Sequence, residues 1–312
     1  MISRNSTFQY KGRAVEIAQI GSELGAGFVV EGSVRRAGDR LRVTAQLIES
    51  RTGTHLWAER YDRSIEDVFA VQDELTRTIA ATLGARLYDA GLERTLAKNA
   101  ADLDAYDCVL RARRFLAGPD EAAHADARDL LERAIALDPS YADAYAQLAN
   151  IYLAEYRFEF NPRPDPLGRA MTMAQKAIEL DPQNATAHCW LAIVHFFRRE
   201  NERFVAESNR ALALNPNDAE TLANIGHYYA FMGEFDRGCE LIEQAIALNP
   251  LHPGWYHFAF ARRAYHAQDY RTVLAEIDRI DLPKFYWTWL LRIAALGQLG
   301  DRDNAAVAIE KL

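Results

Sequence analysis

The chain has 312 residues, 49% of them hydrophobic, and a formal net charge of −8. That length allows about two domains and a sizeable core, and the acidic balance argues against direct nucleic-acid binding, which needs a basic footprint. Residues 1–100 carry 14 basic and 13 acidic side chains and the remainder 22 and 31, so the acidity lies in the C-terminal two-thirds. Cys108, Cys189 and Cys239 are far apart and form no Cys-x-x-Cys, the pattern of buried free thiols in a reducing compartment. No apolar run approaches the roughly 18 residues of a membrane helix, and Met1 to Ser6 carry no signal-peptide core. The expectation is a cytoplasmic protein with no membrane partner.

Residues 15–25 read as a short amphipathic helix closed by Gly25. Phe28 to Val34 reads as a strand, and Ala37-Gly38-Asp39-Arg40 as a turn. In the next strand Leu41, Val43, Ala45 and Leu47 alternate onto one face. Arg51-Thr52-Gly53-Thr54 turns the chain into a third strand over His55 to Tyr61, completing a meander. Ser64-Ile65-Glu66-Asp67 predicts a capped helix running to about Leu87, with Ile65, Val68, Phe69, Leu75, Ile79 and Leu83 at helical spacing over the meander. Residues 89–102 are a polar, alanine-rich connector. Leu103 to Leu116 and Ala122 to Leu137 then read as paired helices, the second with Ala127, Leu130, Leu131, Ala134 and Leu137 as its apolar stripe.

From here the chain repeats. Ala134-Ile135-Ala136-Leu137-Asp138-Pro139 returns as Ala177-Ile178-Glu179-Leu180-Asp181-Pro182, Ala211-Leu212-Ala213-Leu214-Asn215-Pro216 and Ala245-Ile246-Ala247-Leu248-Asn249-Pro250. The last three prolines are 34 positions apart, whereas Pro139 to Pro182 is 43. A fixed period of this length marks an array of helical hairpins. Small Ala admits a neighbouring helix, Asp or Asn competes for backbone groups, and Pro ends the helix. Asn184 and Asp218 are N-cap candidates for the helices that follow. The nine extra residues fall within residues 156–166, where Pro162, Pro164 and Pro166 predict a lengthened loop. Phe285 to Leu299 reads as a further helix, with its partner starting at Asn304.

The repeats resemble the tetratricopeptide family, in which a bulky residue opens the first helix, Leu and a small residue follow, and an Ala precedes the closing Pro. The carrying residues are Leu222, Ile225, Gly226, Tyr229, Ala245 and Pro250; His188, Leu191, Ala192, His195, Ala211 and Pro216; Tyr145, Leu148, Ala149 and Tyr152; and Trp255, Phe258 and Ala259, closing one residue short at Pro283. Residues 1–88 resemble a small α/β domain related to the N-terminal domain of TolB. Residues 2–7, Glu31-Gly32-Ser33-Val34-Arg35, Thr44 to Ile48, Thr52 to Asp62 and Phe69 to Glu74 carry that likeness. In that family an apolar strand and a helix precede the Ile2-Ser3-Arg4-Asn5 segment, so the resemblance implies an incomplete domain, open at one sheet edge or face. It also implies a position between a class III adenylate/guanylate cyclase domain, or a winged-helix DNA-binding domain, and a tetratricopeptide array. The expected fold is therefore mainly α: a partial α/β domain over 1–88, a connector over 89–102, and an α-solenoid of about five to six hairpins over 103–312.

The sequence holds no Gly-rich phosphate loop, no His-Glu-x-x-His and no Gly-x-Ser-x-Gly. Its eight histidines are scattered, with His188 and His195 too far apart along a helix to share a metal, so no metal, cofactor or catalytic residue is expected. The tetratricopeptide resemblance implies a concave groove lined by first helices. Its register places Cys189, Ile193 and Phe196 there, then Ala223, His227 and Ala230 with Asn224 beside them, then Tyr256, Phe260 and Arg263, and Asn150 from the preceding repeat. Such a groove is aromatic and weakly polar and lacks the Lys and Asn ring that clamps chaperone C-termini. Each aromatic in it is equally open to a packing role between repeats. The expected function is a non-catalytic scaffold that binds a peptide or protein in this groove. The alternative is the regulatory portion of a class III cyclase or of a winged-helix transcription regulator.

Overall fold

The computed structural model describes residues 10, 15–64, 92, 103–113, 120–249, 252–280, 282 and 285–312. The helix read over residues 65–87, nearly all of the connector 89–102 and residues 114–119 lie outside the described residues. The chain divides into two units, Met1–Glu93 and Arg94–Leu312.

In the first unit α1 (Ile17–Leu24) stops at Gly25, whose φ of 63° aims its N–H at the carbonyls of Gly21 and Ser22. That left-handed geometry suits Gly, which has no Cβ. β1 (Phe28–Ala37), β2 (Arg40–Glu49) and β3 (His55–Ser64) form an antiparallel sheet in the order β1-β2-β3. Ser64, read as a helix cap, is the last residue of β3, and the helix it was read to cap lies outside the described residues. Gly32 lies opposite Ala45 and Val34 opposite Val43, while Leu47 meets Trp57 across the other ladder. The alternation of β2 holds: Ala45 and Leu47 are buried. Ile48, on the opposite phase, is buried as well; beside it the β2–β3 register slips by one, with Leu56 of β3 as the extra residue.

The second unit is a run of six helical hairpins: α2 (Ala105–Ala112) with α3 (Glu121–Leu137), α4 (Ala142–Phe158) with α5 (Pro166–Leu180), α6 (Ala185–Phe197) with α7 (Asn201–Leu214), α8 (Ala219–Phe231) with α9 (Phe235–Leu248), α10 (His257–His266) with α11 (Tyr270–Ile277), and α12 (Tyr286–Leu299) with α13 (Arg302–Ile309). The repeated Asp or Asn does one job four times. Asp138, Asp181, Asn215 and Asn249 leave the helix in extended geometry while their N–H groups still bond to the carbonyls of Ala134, Ala177, Ala211 and Ala245. Those four alanines are fully buried, the sites where a neighbouring helix comes closest. Asp138 and Asp181 also accept bonds from the backbone N–H two residues on, which fixes the turn. Asn184 and Asp218 then cap α6 and α8 by accepting from Ala187 and Glu220 N–H. On α3 the buried face is His124, Ala127, Arg128, Leu131 and Ala134; Leu137, read as part of the stripe, is half exposed.

Hairpin four shows the tightest joint. A Cβ on Gly226 of α8 would stand 2.6 Å from the Gly238 carbonyl of α9, and one on Gly238 would stand 2.6 Å from the Gly226 carbonyl. Only paired glycines allow that approach. First helices of successive hairpins pack on one another, and one buried cluster runs through the first three hairpins into α8.

Candidate functional site

The inner face of the array is built from the first helix of each hairpin. Its register follows from the buried positions. Ala192 and Gly226 occupy the close-approach site of hairpins three and four, and Ala261 occupies that of hairpin five. The spacing agrees, because His188 bonds Glu207 at 2.6 Å and His257 bonds Glu276 at 2.7 Å across the same 19-residue interval. Hairpin five is therefore displaced by two residues from the Trp255, Phe258, Ala259 reading. Its cause is the entry to the helix: a 3-10 turn over Gly254–Tyr256 precedes α10. The inner-facing column thus runs Asn150, Ile193, His227 and Arg262.

The displacement redistributes the expected groove residues. Tyr256 is 2% exposed and donates its hydroxyl to the Ala219 carbonyl, so it is a packing residue. Phe260 and Arg263 line a separate cleft of about 560 Å³, with His257, Glu276 and Glu243 on its walls. Cys189, Ile193 and Ala223 are sealed in the interior, and Asn150 and Asn224 are nearly so. The amides are occupied: Asn150 accepts from Arg157, and Asn224 donates to the Glu220 carbonyl. Phe196 and His227 remain at the inner surface, in an aromatic group with Phe197, Tyr228, Phe231 and Trp255.

The insertion shapes this face. α4 runs for 17 residues against 13 in α6 and α8, so Tyr156, Arg157 and Phe158 form an added helical turn and not the start of a loop. Pro166 sits in the first turn of α5, where its missing N–H costs nothing. The loop between is held from beneath. Glu155, with a fully buried side chain, pairs with Arg128 at 3.2 Å and with Arg169, and accepts the Arg163 N–H at 3.1 Å. Arg128 also donates to the Asn161 carbonyl, and the Asn161 side chain donates to the Glu121 carbonyl at 2.7 Å. Asn161 and Asp165 take left-handed φ of 44° and 51°, a conformation short polar side chains tolerate.

The added turn then reaches over the inner face. Arg157 donates to the Tyr228 hydroxyl of hairpin four at 3.2 Å, and Phe158 meets Phe285 at the entry to hairpin six, ring centroids 5.7 Å apart. Arg113 of hairpin one pairs with Glu220 of hairpin four at 3.0 Å. These contacts cover the inner face toward its N-terminal half. Beyond them a cleft of about 440 Å³ opens, lined by Phe231, Phe235, Arg262, Tyr265, His266 and Leu291 among others.

The electrostatics of that half are those of a desolvated cationic face. Arg262 lies over the Phe231 ring, 3.1 Å from guanidinium carbon to centroid, and burial lowers its pKa to about 10. Burial first, then the charges of Arg262 and Arg157, bring His227 down to about 3, so the ring is neutral at physiological pH. Its Nδ1 is sealed from solvent without a hydrogen-bond partner. Burial pushes Glu220 up, with Arg113 opposing. Arg157 and Arg262 were missed by the sequence reading: the first lies on the added turn, and the second was masked by the two-residue displacement. The three cysteines are buried and unpaired, and burial raises each thiol pKa. Among the described residues no group of His, Cys, Asp and Glu could hold a metal ion, and no helix is long and apolar enough to cross a membrane.

Comparisons with known proteins match this architecture. Residues 130–172 and 219–250 each match a tetratricopeptide repeat model. Over 175 residues, 56% of the chain, it is 43% identical to the Rhizobium meliloti (strain 1021) protein named "Putative adenylate cyclase 3", and spans 30% of that protein's length. Among solved structures it is similar to the human IFIT1 dimer with m7Gppp-AAAA, at TM-score 0.55 and 16% identity, covering 67% of this chain and 49% of that one. It is also similar to the APC/C hetero-tetramer Cut9-Hcn1, at TM-score 0.50 and 14% identity, covering 66% and 42%. At these identities the structural likeness concerns the fold. Residues 130–172 and 219–250 of the helical unit are thus tetratricopeptide repeats, within a run of helical hairpins of that fold.

Proposed function

We propose that this chain is a non-catalytic protein-interaction module whose array receives a peptide or protein partner on its inner face, in the cytoplasm. The observation that carries the reading is the cleft lined by Phe231, Phe235, Arg262, Tyr265 and Leu291 of hairpins four to six, aromatic and cationic, beside the contacts that tie hairpins one and two to hairpin four. An extended peptide suits such a surface because the stacked first helices offer successive side-chain sites at regular spacing. The test is a pull-down with the full chain, repeated with Tyr265→Glu, which removes an aromatic wall of the cleft and adds a negative charge to it. The reading predicts a partner lost with the variant. A chain that captures nothing and turns over a small molecule contradicts it.

The 43% identity to a protein named as an adenylate cyclase favours a second, compatible reading. In it this segment is the regulatory portion of a class III nucleotidyl cyclase, and the array relays partner binding to a catalytic domain elsewhere in that protein. Reading the coding region upstream of Met1 tests it: a cyclase signature in frame supports it, and a winged-helix region points to a transcription regulator instead.

A further inference from the structure

Charge is segregated within the array. The first helices of hairpins three to six, α6, α8, α10 and α12, contain a single acidic residue, Glu220. Their second helices contain seven, Glu202, Glu207, Asp236, Glu240, Glu243, Glu276 and Asp303, set among five arginines, Arg203, Arg210, Arg237, Arg271 and Arg302. The chain as a whole is acidic at −8, yet its inner face is not. Glu220 is also occupied, since Arg113 pairs with it.

Arg262 stands at the centre of that face. Among the described residues its guanidinium pairs with no carboxylate; it lies over the face of Phe231, and the Tyr228 hydroxyl also acts on its charge. Arg157, the other cation acting on His227, is turned to Asn150 and Tyr228. A guanidinium taken partly out of water without an anion is costly, and its planar fork matches a carboxylate in two parallel hydrogen bonds. The cleft beside it is walled by Phe231, Phe235, Tyr265 and Leu291. Phe231 is 42% exposed, a large apolar surface left to water. An acidic group alone would satisfy Arg262 and leave those walls wet; an apolar group alone would fill the cleft and bury the cation further. The two requirements together define one ligand.

We propose that this cleft receives a peptide carboxylate, from an Asp or Glu flanked by a bulky apolar residue, and that Arg262 is the group that holds it. The inference rests on the peptide-binding reading above and assigns its chemistry.

The test selects peptides from a random dodecapeptide library on the full chain, then measures affinity for each selected sequence and for its Glu→Gln or Asp→Asn counterpart. Expected are sequences with an acid beside an aromatic or aliphatic residue, weakened about tenfold by neutralising the acid on the wild type. On Arg262→Gln the acidic and neutral peptides bind alike; on Arg262→Lys, which keeps the charge and loses the fork, part of the preference returns. Unchanged thermal unfolding of both variants identifies the loss as local. Selected peptides without an acid, or an acid preference that survives Arg262→Gln, overturn this inference and leave the interaction module standing. A phosphoserine peptide that outbinds its Glu counterpart overturns the carboxylate assignment. A library that yields no binder removes both this inference and the reading beneath it.

Discussion

Hairpins two and four are copies of one repeat held together by opposite means. Hairpin four joins its helices by removing side chains: Gly226 and Gly238 let the two backbones touch. Hairpin two joins its helices and its long loop by adding charge: Glu155, buried, gathers Arg128, Arg169 and the backbone of Arg163. The contrast shows what an insertion demands of a repeat. A nine-residue excess opens a gap between helices that apolar packing cannot fill without orphaning the loop's backbone groups. A carboxylate with several acceptor sites can bind loop and helices at once. Buried ion pairs add little net stability over an apolar replacement but are costly to break, so the clasp specifies the loop's position more than it stabilises the array.

The contrast predicts unequal sensitivities. Glu155→Ala leaves Arg128 buried and unpaired and should cost about 3–5 kcal/mol, read as a lowered urea midpoint; the loop should also become protease-sensitive. A loss below about 1 kcal/mol would place the weight of hairpin two in its apolar contacts instead. Hairpin four should carry the acid sensitivity. The folded-state pKa of His227 is depressed to about 3, so protonation favours the unfolded chain. The contribution is complete above the unfolded value near 6.5 and is lost as pH falls from there toward 3, on the order of 3 kcal/mol by pH 4. His227→Phe should flatten that part of the stability–pH curve. Gly226→Ala forces a methyl onto the Gly238 carbonyl and should cost about 1–3 kcal/mol by the same urea measurement. The equivalent change is already present as Ala192 in hairpin three, where Phe204 replaces the facing glycine. Least of all, Asn184→Ala removes one cap and should cost about 1 kcal/mol, a shift of a few degrees in thermal midpoint.

The legibility of the sequence follows the same division. The first four hairpins were readable because their second helices end with Ala-x-x-Leu and an Asp or Asn before Pro, local chemistry that needs no tertiary context. The meander was readable from alternation in β2 for the same reason. The insertion was readable as an excess of nine, but not in its parts: nothing between Glu155 and Phe158 breaks a helix, and the left-handed turn at Asn161 depends on Glu121, 40 residues away, while that at Asp165 caps α5 through Gly168 N–H. The candidate groove was only partly legible. Phe196 and His227 do face inward, whereas the hairpin-five residues were displaced because one 3-10 turn shifts every following side chain on the helix. Two residues of displacement is about 200° around a helix, which is why Phe260 was named where Arg262 stands.

The account turns on first helices of hairpins four to six being the surface a partner touches. Amide hydrogen exchange of the full chain, with and without a library-selected peptide, tests this most directly. Protection is predicted at the ends of α8 and α10, around Phe231 and Tyr265, and along α12 near Leu291. Protection confined to the acidic second helices α9, α11 and α13, with the inner face unchanged, would contradict it.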